Sequence, residues 1–180
     1  ISNDYQALTI KTSKQPVVSV IIPVYNHFEH TYHCLQSISE IKDQTAFEVI
    51  VVDDCSSDET QRQISLISGI RYHRQEKNGG FIHSCNQGAK LAKGDYLLFL
   101  NNDTEVNNQW LDALLETFSQ HKNVGLVGSQ LGQGVLSNSF SNQTKKVRSG
   151  SKMDSIASPY SREKFLYAPS NVLRIIRNIE

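Results

Sequence analysis

Three polar clusters each follow an apolar run, and their residue types suit the handling of a phosphorylated nucleoside. Pro23-Val24-Tyr25-Asn26 follows the first run, Asp53-Asp54 the second, and Asn101-Asn102-Asp103 a later one. The ring of Tyr25 offers a face on which a nucleobase can stack, worth about 1–3 kcal/mol by analogy with single-strand binding. A carboxylate at Asp54 can accept a hydrogen bond from a ring N–H and so select a uracil-like edge. Asp103 is a hard oxygen ligand, suited to Mg2+ or Mn2+ held mainly by a diphosphate. Such an ion would neutralise a leaving nucleoside diphosphate. Each residue has a plainer reading beside this one. Tyr25 alone could be a loop anchor, and Asn-Asn-Asp alone could be a turn. Asp53 reads as structural, bonding nearby backbone N–H groups. Asp58 and Glu59 read as helix caps, as does Asn107 or Asn108. His27, His30, His33, His73 and His83 show no metal-ligand spacing.

The apolar runs are the elements that must position these groups. Val17 to Ile22 is a near-continuous β-branched run, the pattern of a strand buried on both faces, and Pro23 ends it. Phe28, Tyr32, Leu35 and Ile38 then share a helical face. Phe47 to Val52 is a second buried strand. The Ser56–Glu59 spacing predicts a capping box and a helix with Ile64 and Ile67 on its apolar face. Ile70 to Arg74 reads as a third strand. After Gly79-Gly80 a helix is expected to about Lys93, with Gly94 as its C-terminal stop. Asp95 to Leu100 is a fourth strand. Leu111, Leu114, Leu115 and Phe118 recur at i, i+3, i+4, i+7, an amphipathic helix. Val124 to Val127 reads as a fifth strand.

Strands alternating with helices predict an α/β fold, a mostly parallel central sheet with helices on both faces. Ligands of such sheets bind beyond the carboxyl ends of the strands, which is where all three polar clusters fall. The chain divides into an arm at residues 1–16, an α/β domain at 17–130, and a basic tail at 131–180. Residues 129–152 are rich in Ser, Gln, Asn and Gly and read as loop. Ser170 is expected to cap a last helix carrying Val172, Ile175, Ile176 and Ile179 on one face.

Bulk properties narrow the class. The chain has 180 residues and zero formal net charge, room for one α/β domain with a core that needs no staples. The charge is unevenly spread: residues 1–130 hold ten Lys/Arg against fifteen Asp/Glu, and residues 131–180 hold eight against three. A basic tail can meet phosphates, an acidic partner or an anionic membrane surface, or be an ordinary solvated segment. Cys34, Cys55 and Cys85 form no paired spacing, so neither a disulfide framework nor a zinc knuckle is indicated. With no membrane-length apolar stretch and no signal-like N-terminus, a cytoplasmic setting is expected, at the inner face of the membrane if the tail binds it. No nucleic-acid partner is indicated.

The motifs also carry a family likeness. Val18 to Asn26 resembles the opening strand of family 2 glycosyltransferases. Glu48 to Asp58, reading EVIVVDDCSSD, is similar to their second-strand motif. Asn78-Gly79-Gly80-Phe81, Asn86 and Gly94-Asp95-Tyr96 resemble the segment leading to the metal motif. Asn101 to Val106 looks like the variant of rhamnosyltransferase-like members. The likeness covers about residues 17–130. It implies a GT-A fold and an inverting, metal-dependent transfer from a nucleotide-sugar donor to a glycan or lipid-linked acceptor, in cell-surface polysaccharide synthesis. By position it implies that Tyr25 and Asp54 contact the base, with backbone from Pro23 and Val24. Asn78, Gly80 and Asn86 would lie near the base or diphosphate. Asn102 would face the ribose and Asp103 would ligate the metal. Asn101 stands where the usual motif has an acid, leaving one strong metal ligand.

The chain departs from the family in its second half. An acidic general base and an aromatic-rich acceptor segment belong there, yet the only acids after Gly128 are Asp154, Glu163 and Glu180, none in a matching context. The catalytic base is therefore unassigned, and a truncated, non-catalytic nucleotide-sugar-binding module stands as the alternative. A dinucleotide-binding oxidoreductase would need a Gly-rich turn after the first strand, where this chain has Pro-Val-Tyr-Asn. A response-regulator-like fold would want a Lys after its last strand, where Val127 is followed by Gly128-Ser129.

Overall fold

The computed structural model describes residues 5–120, 126–130 and 172–177. Its centre is a six-stranded sheet. The strands are β2 (Val18–Val24), β3 (Phe47–Asp53), β5 (Arg71–Arg74), β6 (Tyr96–Phe99), β7 (Leu126–Gln130) and β8 (Val172–Arg177), in the order β5-β3-β2-β6-β8-β7. A separate two-stranded sheet pairs β1 (Leu8–Thr9) with β4 (Ile67–Ser68) in parallel. The helices are α1 (Phe28–Glu40), α2 (Thr60–Gln63), α3 (Phe81–Leu91) and α4 (Trp110–Gln120), and a 3-10 turn covers Ile64–Leu66.

Every residue of β2 and β3 is buried, as a strand covered on both faces must be. Alternate side chains divide between two layers. Val18, Val20, Ile22, Val49 and Val51 pack with Phe28, Leu35, Ile38, Trp110 and Leu111, from the side of α1 and α4. Ile21, Ile50 and Val52 pack with Cys85, Leu97 and Phe99 beneath α3. This second layer is thin because α3 lies close on the sheet: a Cβ on Gly88 would sit 2.3 Å from Ile21 Cγ2.

Pro23 is tolerated within a central strand for a backbone reason. Val24 O accepts from Asp54 N and Ile21 O accepts from Leu100 N, so Pro23 lies with Ile21 on the edge facing β6. Pairing with β6 ends at Ile21↔Phe99, so its missing N–H costs no ladder bond.

The structure corrects several local expectations. The final helix is a strand: Val172–Arg177 pairs antiparallel with both β6 and β7. A β-branched segment beside the open edge of β6 gains a ladder on each side, which outweighs its helical periodicity. Ser129 and Gln130, read as the start of a loop over 129–152, belong to β7; the rest of that stretch, Ser170 and Ile179 lie outside the described residues. The Ser56–Glu59 capping box does not form. Ser56 Oγ instead accepts from Asn26 N, and Asp58 Oδ1 accepts from Thr60 N at 3.0 Å. The helix there ends at Gln63, with Ile64 in the 3-10 turn and Ile67 in β4. Gly94 does not stop a helix at Lys93. Helix α3 ends at Leu91, and a Cβ on Gly94 would lie 2.7 Å from Ser19 N, so a close backbone approach excludes a side chain there.

The arm is docked. Ile10 is buried, its N–H donates to Ser68 O, and Tyr5 packs edge-on against Phe28 at 4.9 Å. Gly69 at φ +83° admits this approach, since a Cβ there would meet Ile10 O at 1.9 Å.

Candidate nucleotide-diphosphate site

Strand register brings the three polar clusters to one edge. Val24 is level with Asp53, Asp53 with Arg74, and Ile21 with Phe99, all in parallel. The residues that follow these strands therefore emerge side by side at the carboxyl end of the sheet. The chain runs outward from β2 through β3 to β5, then returns to place β6 on the other side of β2. That reversal between β2 and β6 is the crevice where open α/β sheets bind ligands.

Asp53 and Asp54 are both buried, and they do different work. Asp53 accepts from Ser56 N at 2.8 Å, from the Tyr72 hydroxyl, and from Arg74 Nη1 at 2.6 Å. Burial opposes its charge, but these hydrogen bonds prevail and hold its carboxyl below the usual range. Asp54 accepts from Gln75 Nε2 and Gly79 N at Oδ1, and from Gly80 N at Oδ2, each at 2.8 Å. It thereby pins the glycine turn that opens α3. Gly80 has φ 82° and ψ 170°, backbone that only glycine adopts readily.

The turn after β2 is shaped by Asn26. Both Asn26 and His27 are left-handed, at φ 56° and 55°. Asn26 Oδ1 accepts from Ser57 N at 2.8 Å and Asp58 N at 3.3 Å, and Asp58 Oδ2 accepts from Phe28 N at 3.2 Å. The loops after β2 and β3 are thus laced together, and Tyr25 projects from them 52% exposed. Phe81 and Ile82, in the first turn of α3, are exposed as well. Pro23 and Val24 are buried at the strand tip.

After β6, Asn102 Nδ2 donates to Thr31 Oγ1 of α1 at 3.1 Å. Asp103 is exposed and makes no hydrogen bond or ion pair among the described residues. Nor do the described residues contain a group of three His, Cys, Asp or Glu able to hold a metal. One free carboxylate at the tip of β6 suits Mg2+ or Mn2+ whose other ligands come from a diphosphate and water, and not a metal caged by protein. Asn78 is exposed. Asn86 presents a buried Oδ1 that has no hydrogen-bond partner among the described residues, a group of the kind a ligand donor satisfies.

Sequence reasoning left Gln75 and Ser84 unnamed and gave Asn26 no role. Gln75 follows β5 as Asp54 follows β3, so the strand-end rule applied to β5 would have found it. A groove of about 580 Å3, lined by residues including Tyr5, Asn26, His27, His30, Asp58 and Glu59, lies beside this edge. Tyr25, Asp54 and Asp103 do not line it, so it is distinct from the strand-tip site. Cys34, Cys55 and Cys85 are free thiols; burial pushes Cys34 and Cys85 up to about 12, the behaviour of inert core residues.

An open α/β sheet with these groups at its reversal point is a GT-A-type nucleotide-binding fold. A profile described as "Glycosyl transferase family 2" matches residues 19–173, and the chain belongs to that family. Among curated relatives, the glycosyltransferase AglE of Haloferax volcanii is 35% identical over 67% of this chain and 41% of its own length. The poly(ribitol-phosphate) β-N-acetylglucosaminyltransferase TarS of Staphylococcus aureus is 31% identical over 72% of this chain and 24% of its own length. The chain thus spans less than half of each of these relatives. The structure of TarS 1-349 in complex with UDP-GlcNAc superposes with a TM-score of 0.51, at 31% identity over 58% of this chain and 32% of that one. The mannosyltransferase PcManGT of Pyrobaculum calidifontis, in complex with GDP-Man and Mn2+, gives 0.55 at 22% identity over 65% of this chain and 36% of that one, a likeness of fold.

Proposed function

We propose that this chain forms the donor half of a glycosyltransferase that moves a sugar from a nucleotide-sugar to an acceptor hydroxyl, inverting the anomeric carbon. The observation that carries the reading is the convergence at one sheet edge of exposed Tyr25, the Asp54-pinned Gly79-Gly80 turn and Asp103, unpaired among the described residues. Tyr25 would stack on the base, and Pro23 and Val24 would lend it backbone. Asp54 would act on the base side, with Asn78, Gly80 and Asn86 near the base or diphosphate and Asn102 near the ribose. Asp103 would hold Mg2+ or Mn2+, which when bound supplies positive charge to the leaving diphosphate. The UDP-GlcNAc complex of TarS supports a nucleotide-sugar as donor. A glycan or lipid-linked acceptor, polysaccharide synthesis and a cytoplasmic setting complete the reading. No helix among the described residues is long and apolar enough to cross a membrane. Membrane contact through the basic tail would not run through a last helix, since Val172–Arg177 is a strand.

Isothermal titration of UDP and GDP, with and without Mn2+, tests the proposal. Binding should strengthen with Mn2+, and Asp103→Ala should abolish that gain while leaving metal-free binding intact. A folded protein whose nucleotide binding ignores the metal would refute it.

A second reading, a nucleotide-sugar-binding module without turnover, draws on a specific feature. Asp53 and Asp54 are buried and hydrogen-bonded and Asp103 is the metal candidate, so none of these three acids is free to act as general base. Donor hydrolysis or transfer by the purified chain would count against this version; tight binding without turnover would favour it.

A further inference from the structure

Gln75 joins three elements through one buried amide. It is 7% exposed and directly follows β5. Its Nε2 donates to Asp54 Oδ1 and to Ser84 Oγ, both at 2.8 Å, which uses both amide protons. Ser84, also buried, donates its hydroxyl to Gly80 O at 3.2 Å. Gly80 N closes the ring by donating to Asp54 Oδ2. Asp54, Gln75, Ser84 and Gly80 thus form a closed circuit linking the tips of β3 and β5 to the first turn of α3.

The circuit is not required to hold these strands together. The β3–β5 ladder runs from Ile50↔Arg71 to Asp53↔Arg74, and the Arg74–Asp53 ion pair crosses the same strand ends. What the circuit adds is the placement of one carboxylate and one glycine turn. A glutamine suits the task where its isosteres do not. A carboxylate would repel Asp54, and an alkyl chain would leave Asp54 Oδ1 and Ser84 Oγ each short of a buried partner.

We propose that Gln75 is a positioning residue for nucleotide binding: by bridging Asp54 and Ser84 it sets the base-side half of the donor site. The inference rests on the donor-site reading above. Asp103 follows β6, across β2 from this circuit, so the base side and the metal side can be perturbed separately.

The experiment titrates UDP or GDP, whichever the wild type binds more tightly, with and without Mn2+. Gln75→Leu should weaken binding about tenfold in both conditions, leaving the Mn2+ enhancement ratio at its wild-type value. Ser84→Ala should weaken it in the same way by a smaller factor. Gln75→Glu should bind poorly at pH 8 and recover relative to wild type at pH 5.5, where a protonated carboxyl can again donate to Asp54. Thr45→Val, which removes a hydrogen bond to Asp112 at the far end of the sheet, should bind like wild type. Wild-type affinity in folded Gln75→Leu or Ser84→Ala would overturn the proposal, and so would an equal loss in Thr45→Val. If Gln75→Leu does not fold, Ser84→Ala and the pH profile of Gln75→Glu decide. A wild type that binds neither nucleotide refutes the donor-site reading itself, an outcome distinct from a wild type that binds while Gln75→Leu binds equally well.

Discussion

Replacing Asp53 with asparagine tests the strand-tip architecture at its most buried charge. Asp53 is 0% exposed and receives the Ser56 amide, the Tyr72 hydroxyl and the Arg74 guanidinium, while the Arg74 side chain is itself only 26% exposed. Asparagine has the same shape but one acceptor oxygen, so its NH2 must face one of these donors. The charge that balances Arg74 is also lost. Breaking one member of a buried pair costs about 3–5 kcal/mol, a large part of the roughly 5–15 kcal/mol that stabilises a domain. With a urea m-value of about 2 kcal/mol per molar, the denaturation midpoint should fall by about 2 M. The effect has a pH signature. The folded-state pKa of Asp53 is lowered, so its stabilisation is fully present above the unfolded value near 3.9 and is lost as pH falls through the folded value. The gap between wild type and variant should therefore hold from pH 7 to about 5 and close below about pH 4. Urea titrations followed by circular dichroism measure both. A midpoint shift under about 0.5 M at pH 7, or a gap that widens on acidification, would refute the reasoning.

Other substitutions probe separate parts of the fold and site. Gly88→Ala gains helix propensity, yet its Cβ would meet Ile21 Cγ2 at 2.3 Å; a net loss of about 1–3 kcal/mol is expected in thermal melts, and neutrality would show that α3 can shift. Gly80→Ala forces a residue with a Cβ into φ 82°, so stability should fall by about 1–3 kcal/mol although the space around it is open. Tyr25→Ala should leave the melting temperature nearly unchanged, because the ring is half exposed, while weakening nucleotide binding by about 1–3 kcal/mol in calorimetry. An unstable Tyr25→Ala with wild-type nucleotide affinity would make Tyr25 a loop anchor.

Much was legible from local pattern. The β-branched runs that became β2 and β3, and the i, i+3, i+4, i+7 spacing that became α4, are properties of neighbouring residues, because burial on a sheet or helix face repeats with the backbone period. The alternation of those elements implied parallel strands, and parallel strands put every post-strand residue on one edge. That is why Tyr25, Asp54 and Asp103 could be grouped before any contact was known.

Tertiary structure decided the rest, because the deciding partners lie far off in the chain. Val172–Arg177 carries helical periodicity together with β-branched residues, and the open edge of β6 selects the strand. Gly94 looks like a helix stop until its distance to Ser19 N shows that the backbone of β2 occupies the space a side chain would need. Whether the Asp54 carboxylate was open or already engaged depended on Gln75, Gly79 and Gly80, residues more than twenty positions away. A sequence pattern encodes which face of an element is apolar. Which polar atom finds which partner across that face is set only when separate elements meet.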